Sequence, residues 1–192
     1  QTLKRLLSWI AKQSRQRQTY ELVSYSGGGR SAELKARKEI LYGLYVLALA
    51  GRQDVSTMNY YKGRLHLLAE DTRYLLAGAF AQSGKWNAWH DLVPSSFKSA
   101  RPLRESGGSF DSELRANALM LNILLDNDPA NKNIPTILRY LADRMDNMYS
   151  TQESAFAMLA LGKAAKRSAA GRLKVTVLVN GKAKATYTGE DL

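Results

Sequence analysis

Three carboxylates lie close together in the second half of the chain, and by residue type they are the best suited to acid–base chemistry. They are Glu105, Asp111 and Glu113, at the predicted junction between a loop and a helix. Glycoside hydrolysis uses two carboxyl groups about 5 to 10 Å apart, and some helical toroids are glycosidases. Carboxylates at a helix start are also explained by N-capping and by the helix dipole. We favour the structural explanation and keep catalysis as the alternative.

The two histidines could otherwise act as bases or metal ligands. His66 and His90 are 24 positions apart on different predicted helices, and neither has the i, i+4 partner or the carboxylate spacing of a helical metal site. We expect both to lie at the surface or in an interface between helices. The pair Glu70 and Asp71 opens another predicted helix and has the same structural explanation as the acidic cluster.

No other pattern in the chain carries recognisable chemistry. The sequence has no cysteine, so it offers no thiolate nucleophile or thiolate metal ligand. The G-x-S-x-G, H-E-x-x-H and dinucleotide-binding motifs are absent. The glycines at 27–29 lack the lysine and Ser/Thr of a P-loop. We therefore predict no catalytic, cofactor-binding or metal-binding residue, no cofactor, and a protein that is not an enzyme.

The net charge of +11 is concentrated at the two ends of the chain. Residues 1–50 hold nine Lys/Arg and three acids, residues 162–192 hold seven and two, and the middle is balanced at twelve against twelve. A nucleic-acid-binding protein typically carries a basic stripe with a recognisable motif, and neither is present here. No apolar run approaches the roughly 20 residues of a membrane-spanning helix. We expect neither nucleic acid nor a transmembrane segment.

Hydrophobic periodicity predicts a mainly helical protein. The predicted helices cover residues 3–10, 32–50, 56–67, 70–82, 86–93, 112–125, 135–145 and 150–166. Short connections between most of them favour antiparallel neighbours in a two-layer array. Two polar stretches that contain glycine, 14–31 and 95–109, are predicted to be loops, and we expect the first to be mobile.

Local signals predict several helix ends and contacts. The predicted end residues are Gly51 and Gly84 as C-terminal stops, Ser56 or Thr57 and Asp111 as N-caps, Pro135 in a first turn, and Ser150 with Glu153 as a capping box. Trp86 and Trp89 are predicted to anchor a helix interface. The small residues Ala77, Gly78, Ala79 and Ala81 should let a neighbouring backbone approach the helix over 70–82 closely.

After the last helix the hydrophobic period changes to two, which predicts a β-hairpin around Asn-Gly at 180–181. A two-residue turn would pair Val179 with Lys182, whereas a three-residue loop with a bulge would pair Val179 with Ala183. Both registers are compatible with the sequence.

The change of period also suggests a division of the chain. Residues 1–168 form a helical domain, and residues 169–192 form a β-hairpin that begins a β domain. Gln1 already falls in a helical pattern without an initiator Met, so we expect the chain to be a fragment.

Six segments carry a family resemblance. They are 3–13 (LKRLLSWIAKQ), 39–51 (EILYGLYVLALAG), 75–88 (LLAGAFAQSGKWNA), 108–121 (GSFDSELRANALML), 150–162 (STQESAFAMLALG) and 175–192 (VTVLVNGKAKATYTGEDL). Taken in order, they resemble the later part of the thioester domain of bacterial alpha-2-macroglobulin family proteins and the start of the β domain that follows. That family comprises large protease traps related to complement. The Ser-Thr-Gln-Glu-x-Ala pattern in 150–162 is the most specific match.

The resemblance implies an α/α toroid of antiparallel helix pairs and a periplasmic or secreted location, with attachment to the cell envelope through the parent protein as one form of it. It implies a structural and interaction role in an inhibitor that traps proteases. The implied partners are proteases and neighbouring β domains of the same chain. The family's thioester motif, Cys-x-Glu-Gln, is absent from these residues, so no thioester residue is carried over.

Two other functions compete with the protease-inhibitor interpretation. One is an α/α-toroid glycosidase or cyclase that uses Glu105, Asp111 or Glu113. The other is a helical-repeat scaffold that binds peptides. A scaffold of that kind would show a fixed repeat of about 34 residues, and the sequence shows none.

Overall fold

The structure is a computed structural model that describes residues 2–26, 29–99, 112–147, 150–169, 174–179 and 182–188. It is mainly helical and has two antiparallel sheets of two strands each. The helices are α1 Thr2–Ser14, α2 Lys38–Leu49, α3 Val55–Lys62, α4 Glu70–Gln82, α5 Trp86–Leu92, α6 Glu113–Asn127, α7 Ile134–Ala142 and α8 Thr151–Ala169. The strands are β1 Thr19–Ser26, β2 Gly29–Ala36, β3 Lys174–Val179 and β4 Lys182–Thr188. Among these helices, none is long and apolar enough to span a bilayer.

The four even-numbered helices form a continuous row, in which α2 packs on α4, α4 on α6 and α6 on α8. Their first turns lie at one end of this row. Lys38 of α2 contacts Asp71 of α4 there, and Arg115 of α6 lies over the ring of Phe156 of α8. We call this the N-terminal end of the row.

The later turns of the same helices meet at the opposite end, which we call the C-terminal end of the row. Gln82 of α4 donates a hydrogen bond to Asn127 of α6, and Lys163 of α8 contacts Asp126 of α6. The four helices therefore run parallel. The odd-numbered helices flank the row, with α1 on α2, α3 and α5 on α4, and α7 on α6.

A glycine in the middle of α4 sets the spacing of the row. A Cβ on Gly78 would lie 2.9 Å from Tyr45 Cε2 of α2 and 3.0 Å from Ile123 Cγ2 of α6. A Cβ at these distances would force the Tyr45 and Ile123 side chains to shift, so glycine lets α4 pack closely between α2 and α6 here. The predicted close approach to this helix is found at Gly78, but the approaching atoms belong to side chains and not to a neighbouring backbone.

The first strand pair corrects the sequence interpretation. Residues 14–31 were predicted as a mobile loop and residues 32–50 as one helix, but β1 and β2 form a hairpin and α2 begins at Lys38. The register pairs Thr19 with Ala36 and Val23 with Ala32. Strand β2 consists largely of residues that favour helices, and pairing with the Tyr- and Val-containing β1 overrides that local preference. Gly27 and Gly28 lie outside the described residues.

Several predicted helix ends are confirmed and others are wrong. The bounds of α4 are as predicted, Gly51 and Gly84 have φ of 67° and 72°, and Pro135 lies in the first turn of α7. The Thr57 amide bonds the Asp54 side chain, so Asp54 caps α3 instead of Ser56 or Thr57. This helix ends at Lys62 and is followed by a 3-10 turn, Leu65–Leu67.

The N-cap of α6 is also corrected. Ser112, one residue after the predicted Asp111, accepts a hydrogen bond from the Arg115 amide at 3.1 Å. The predicted capping box of α8 is confirmed, because the Ser150 amide bonds the Glu153 carboxylate and the Glu153 amide bonds the Ser150 hydroxyl. Asp111 itself lies outside the described residues.

Strands β3 and β4 confirm the predicted C-terminal hairpin and combine both predicted registers. Val179 pairs with Lys182, as in a two-residue turn. A shift between Val177 and Leu178 then places Val177 opposite Ala185. This irregularity inserts one extra residue into the returning strand, as a β-bulge does.

The two neighbouring tryptophans in α5 differ in burial. Trp89 is 1% exposed and anchors the interface with α4, whereas Trp86 is 46% exposed. Their rings meet edge to face with centroids 6.3 Å apart. The prediction that both anchor an interface is therefore confirmed for Trp89 and wrong for Trp86.

Candidate functional site

Of the three carboxylates singled out for catalysis, the structure describes Glu113, whereas Glu105 and Asp111 lie outside the described residues. Glu113 is the first residue of α6, and its carboxylate accepts a hydrogen bond from the Ser99 hydroxyl. The side-chain amide of Asn117 donates to the same hydroxyl oxygen at 2.7 Å. The carboxylate thus ties the segment before residue 100 to the start of α6.

Hydrogen bonds lower the pKa of the Glu113 carboxylate. The bond from Ser99 lowers the pKa of Glu113, and it outweighs burial, which raises the pKa. The Tyr140 hydroxyl and the nearby Arg144 cation lower it further. A general acid in glycoside hydrolysis needs a raised pKa, so Glu113 is unsuited to that role. Its surroundings are those of a structural hydrogen-bond acceptor.

Both histidines are exposed, in agreement with the predicted surface position. His66 lies in the 3-10 turn after α3, and its backbone carbonyl accepts a hydrogen bond from Lys35 Nζ at 3.0 Å. His90 lies in the last turn of α5. Within the described residues, His, Asp and Glu do not gather into any group of three or more that could hold a metal ion.

A pocket of about 760 Å³ lies at the N-terminal end of the row. Residues of α1, α2, α4, α6 and α8 line it, and the first turn of each even-numbered helix contributes at least one of them. Packing of parallel helices brings these turns together, although the residues are far apart in the sequence. We call it the N-terminal pocket.

One buried ion pair crosses the wall of the N-terminal pocket. Lys38 Nζ is 2.8 Å from Asp71 Oδ2, and the two side chains are only 15% and 4% exposed. The other carboxylate oxygen of Asp71 accepts a hydrogen bond from the Thr72 amide at 2.9 Å. This pair joins α2 to α4 in a place where water screens charges poorly. The sequence pattern explained Asp71 by its position at a helix start and did not predict Lys38 as its partner.

A second polar feature of the pocket is Arg115 in the first turn of α6. Its guanidinium carbon lies 5.0 Å from the ring centroid of Phe156 in α8, a cation–π distance. Its Nε atom is buried and has no hydrogen-bond partner. A buried N–H donor without an acceptor costs free energy, and native structures contain few of them. In the sequence, Arg115 belongs to segment 108–121 of the family resemblance, but no role was predicted for it.

The C-terminal end of the row is polar but more exposed. Lys163 Nζ lies 2.9 and 2.7 Å from the two carboxylate oxygens of Asp126, and both side chains are about one third exposed, at 33% and 32%. The Tyr45 hydroxyl lies 3.4 Å from the same carboxylate. Burial, followed by the charge of Asp126, raises the pKa of Tyr45 to about 12. This cluster links α2, α6 and α8.

Comparison of the chain with protein-family models, with curated proteins and with solved structures found no match. We therefore describe the class of this protein by its fold alone. It is a mainly helical protein with a row of parallel helices, flanking helices and two small antiparallel sheets.

Proposed function

We propose that the chain is a structural and interaction part of a bacterial alpha-2-macroglobulin-like protease inhibitor. The observation that carries the proposal is the ordered set of six sequence segments that resemble this family. Several of them overlap elements of the fold. Segment 39–51 covers α2 except Lys38 and includes the glycine that follows it, and segment 75–88 covers the end of α4, Gly84 and the start of α5.

The most specific segment also has a defined local structure. Segment 150–162 begins α8 with the reciprocal hydrogen bonds between Ser150 and Glu153. Both residues belong to the Ser-Thr-Gln-Glu pattern of the family, so the pattern has a physical reason in this fold. It secures the start of the last helix of the row.

The arrangement of the helices is compatible with the proposed family. In an α/α toroid, parallel inner helices alternate along the chain with outer helices of opposite direction. In our proposal, α2, α4, α6 and α8 form part of the inner layer, and α3, α5 and α7 form part of the outer layer. Hairpin β3–β4 then begins the β domain that would follow the toroid.

The proposed role is mechanical. An inhibitor of this family encloses a protease after the protease cuts a bait segment elsewhere in the protein, so a helical domain has to supply surface and rigidity. No residue of this chain is assigned to covalent capture, since the 192 residues include no cysteine. The proposed location is the periplasm or the cell exterior, where such an inhibitor meets foreign proteases.

The test compares two substrates of trypsin in the presence of the complete protein that contains this chain. An enclosed protease still hydrolyses a small chromogenic peptide but is shielded from a large protein such as casein. We expect casein hydrolysis to fall strongly while peptide hydrolysis persists. The control is the same protein after heat denaturation. Equal rates on casein with the native and the denatured protein would contradict the proposal.

A further inference from the structure

The N-terminal pocket has the size and the walls of a small-molecule site. Its volume of about 760 Å³ lies within the range of roughly 300 to 1,000 Å³ that is typical of ligand pockets. Apolar and aromatic side chains from four helices line it, namely Trp9, Tyr42, Val46, Leu119 and Phe156. Such walls fit an apolar ligand body, because burial removes apolar surface from water.

The charges in the pocket are unequal. Its cationic lining residues are Arg37, Lys38 and Arg115, and its carboxylates are Glu39 and Asp71. Lys38 and Asp71 form an ion pair, so their charges offset each other. Glu39 is exposed to solvent at the rim, whereas the Nε atom of Arg115 is buried. The uncompensated charge beside the apolar walls is therefore positive.

Arg115 also lacks an acceptor. Its Nε–H is shielded from water and makes no hydrogen bond, while its guanidinium group packs against the Phe156 ring. An anionic oxygen placed at this guanidinium group would gain a charge-assisted interaction with it. The partial positive charges at the starts of α2, α6 and α8 would favour the same anion.

We propose that the N-terminal pocket binds a small amphiphilic anion, with a carboxylate or sulfonate at Arg115 and an apolar body against Tyr42, Val46 and Phe156. This activity is independent of the proposed protease inhibition, so either proposal stands without the other. The recognised chemistry is one negative charge joined to an aliphatic or aromatic group.

The first experiment titrates the chain with octanoate and with octanol, followed by isothermal titration calorimetry and methyl NMR. Octanoate is expected to bind at one site and to shift the Val46 methyl signals, while the exposed Leu65 outside the pocket stays unchanged. Octanol lacks the charge and is expected to bind roughly tenfold to a hundredfold more weakly. Equal affinities for the two probes, or no binding of octanoate, would overturn the proposal.

A matched pair of variants tests the assignment to Arg115. Arg115→Met keeps a long apolar stem but removes the guanidinium group, and it should weaken octanoate binding by roughly tenfold or more. Arg64→Met is the control, because Arg64 also packs over an aromatic ring, that of Tyr60, but lies outside the pocket. Equal weakening by both variants would indicate non-specific attraction to a cationic protein and would contradict the proposal.

A second pair of variants covers the case that Arg115→Met does not fold. Tyr42 lines the pocket and is partly exposed, so the fold tolerates a polar residue there. Tyr42→Glu places a negative charge in the pocket and should weaken octanoate binding roughly tenfold, whereas Tyr42→Gln should weaken it much less. Circular dichroism checks that both variants fold. Equal binding by the two folded variants would refute an anion site.

Discussion

The two ends of the helix row differ in how they accommodate charged side chains. Both ends bring charged side chains from neighbouring helices together. At the N-terminal end, the ion pair of Lys38 and Asp71 is buried and a donor of Arg115 has no acceptor. At the C-terminal end, the pair of Lys163 and Asp126 is about one third exposed.

The two ends therefore differ in how much their ion pairs contribute to stability and in their capacity to bind a ligand. An exposed pair contributes little to stability but also creates little strain when it is lost, because water replaces the missing partner. A buried pair cannot be replaced in this way, so its loss is costly. The N-terminal end therefore depends on its polar contacts, and it combines a pocket with an unsatisfied donor.

The strongest test of this comparison removes one acid at each end. Asp71→Ala deletes a buried partner of Lys38 and the acceptor of the Thr72 amide, so we expect a loss of about 3 kcal/mol in the free energy of unfolding. Asp126→Ala at the C-terminal end should cost below about 1 kcal/mol, because water screens its pair. Urea denaturation followed by circular dichroism measures both. Similar losses for the two variants would break the comparison.

High pH tests the C-terminal end through Tyr45. Its pKa is about 12 in the folded protein and about 10 when exposed, so folding favours the protonated hydroxyl. The corresponding stability is present below pH of about 10 and is lost as pH rises from about 10 to 12. Tyr45→Phe should reduce that loss by about 2 kcal/mol.

The reference for this titration is the unsubstituted protein, measured at the same pH values. Burial also raises the pKa of Tyr61 and of Tyr74 to about 12, so the Tyr45→Phe variant should keep part of the loss. The measurement is urea denaturation at a series of pH values. An unchanged pH dependence in Tyr45→Phe would show that the hydroxyl is not held as described.

The smallest expected effect concerns the spacing of neighbouring helices at Gly78, midway between the two ends of the row. A methyl group on Gly78 would press on Tyr45 and Ile123, and this overpacking should outweigh the gain in helix propensity. Gly78→Ala is expected to destabilise the protein by about 1 kcal/mol. Gly162→Ala in α8 meets no neighbouring atom and should stabilise by up to about 1 kcal/mol. Opposite shifts of the melting temperature are the expected result, and a stabilising Gly78→Ala would contradict the close approach.

Sequence periodicity predicted most of the helices because their signals are local. The bounds of α4 and the capping box of α8 depend on residues within a few positions of each other, so a sequence pattern can capture them. Hairpin β1–β2 was missed for the opposite reason. Its second strand has the composition of a helix, and only the pairing with β1, seen in the register, fixes it as a strand.

The polar groups of the N-terminal pocket could not be predicted from the sequence. Lys38 and Asp71 are 33 positions apart, and Arg115 and Phe156 are 41 positions apart. Their contacts exist because four helices run parallel, which is a property of packing and not of any local motif. The sequence did contain one partial signal, the acidic residues that open α4, but capping was a sufficient explanation for them.

A hydrogen bond at the base of hairpin β1–β2 makes the position of α1 relative to α2 independent of the length of the hairpin. The Arg37 amide donates a hydrogen bond to the Gln18 carbonyl at 3.2 Å, so the chain leaves and returns at almost the same point. Inserted or deleted residues at the tip would therefore leave the junction between α1 and α2 in register. The hairpin is a modular position, where an epitope or a reporter peptide could be grafted while the helix row keeps its geometry.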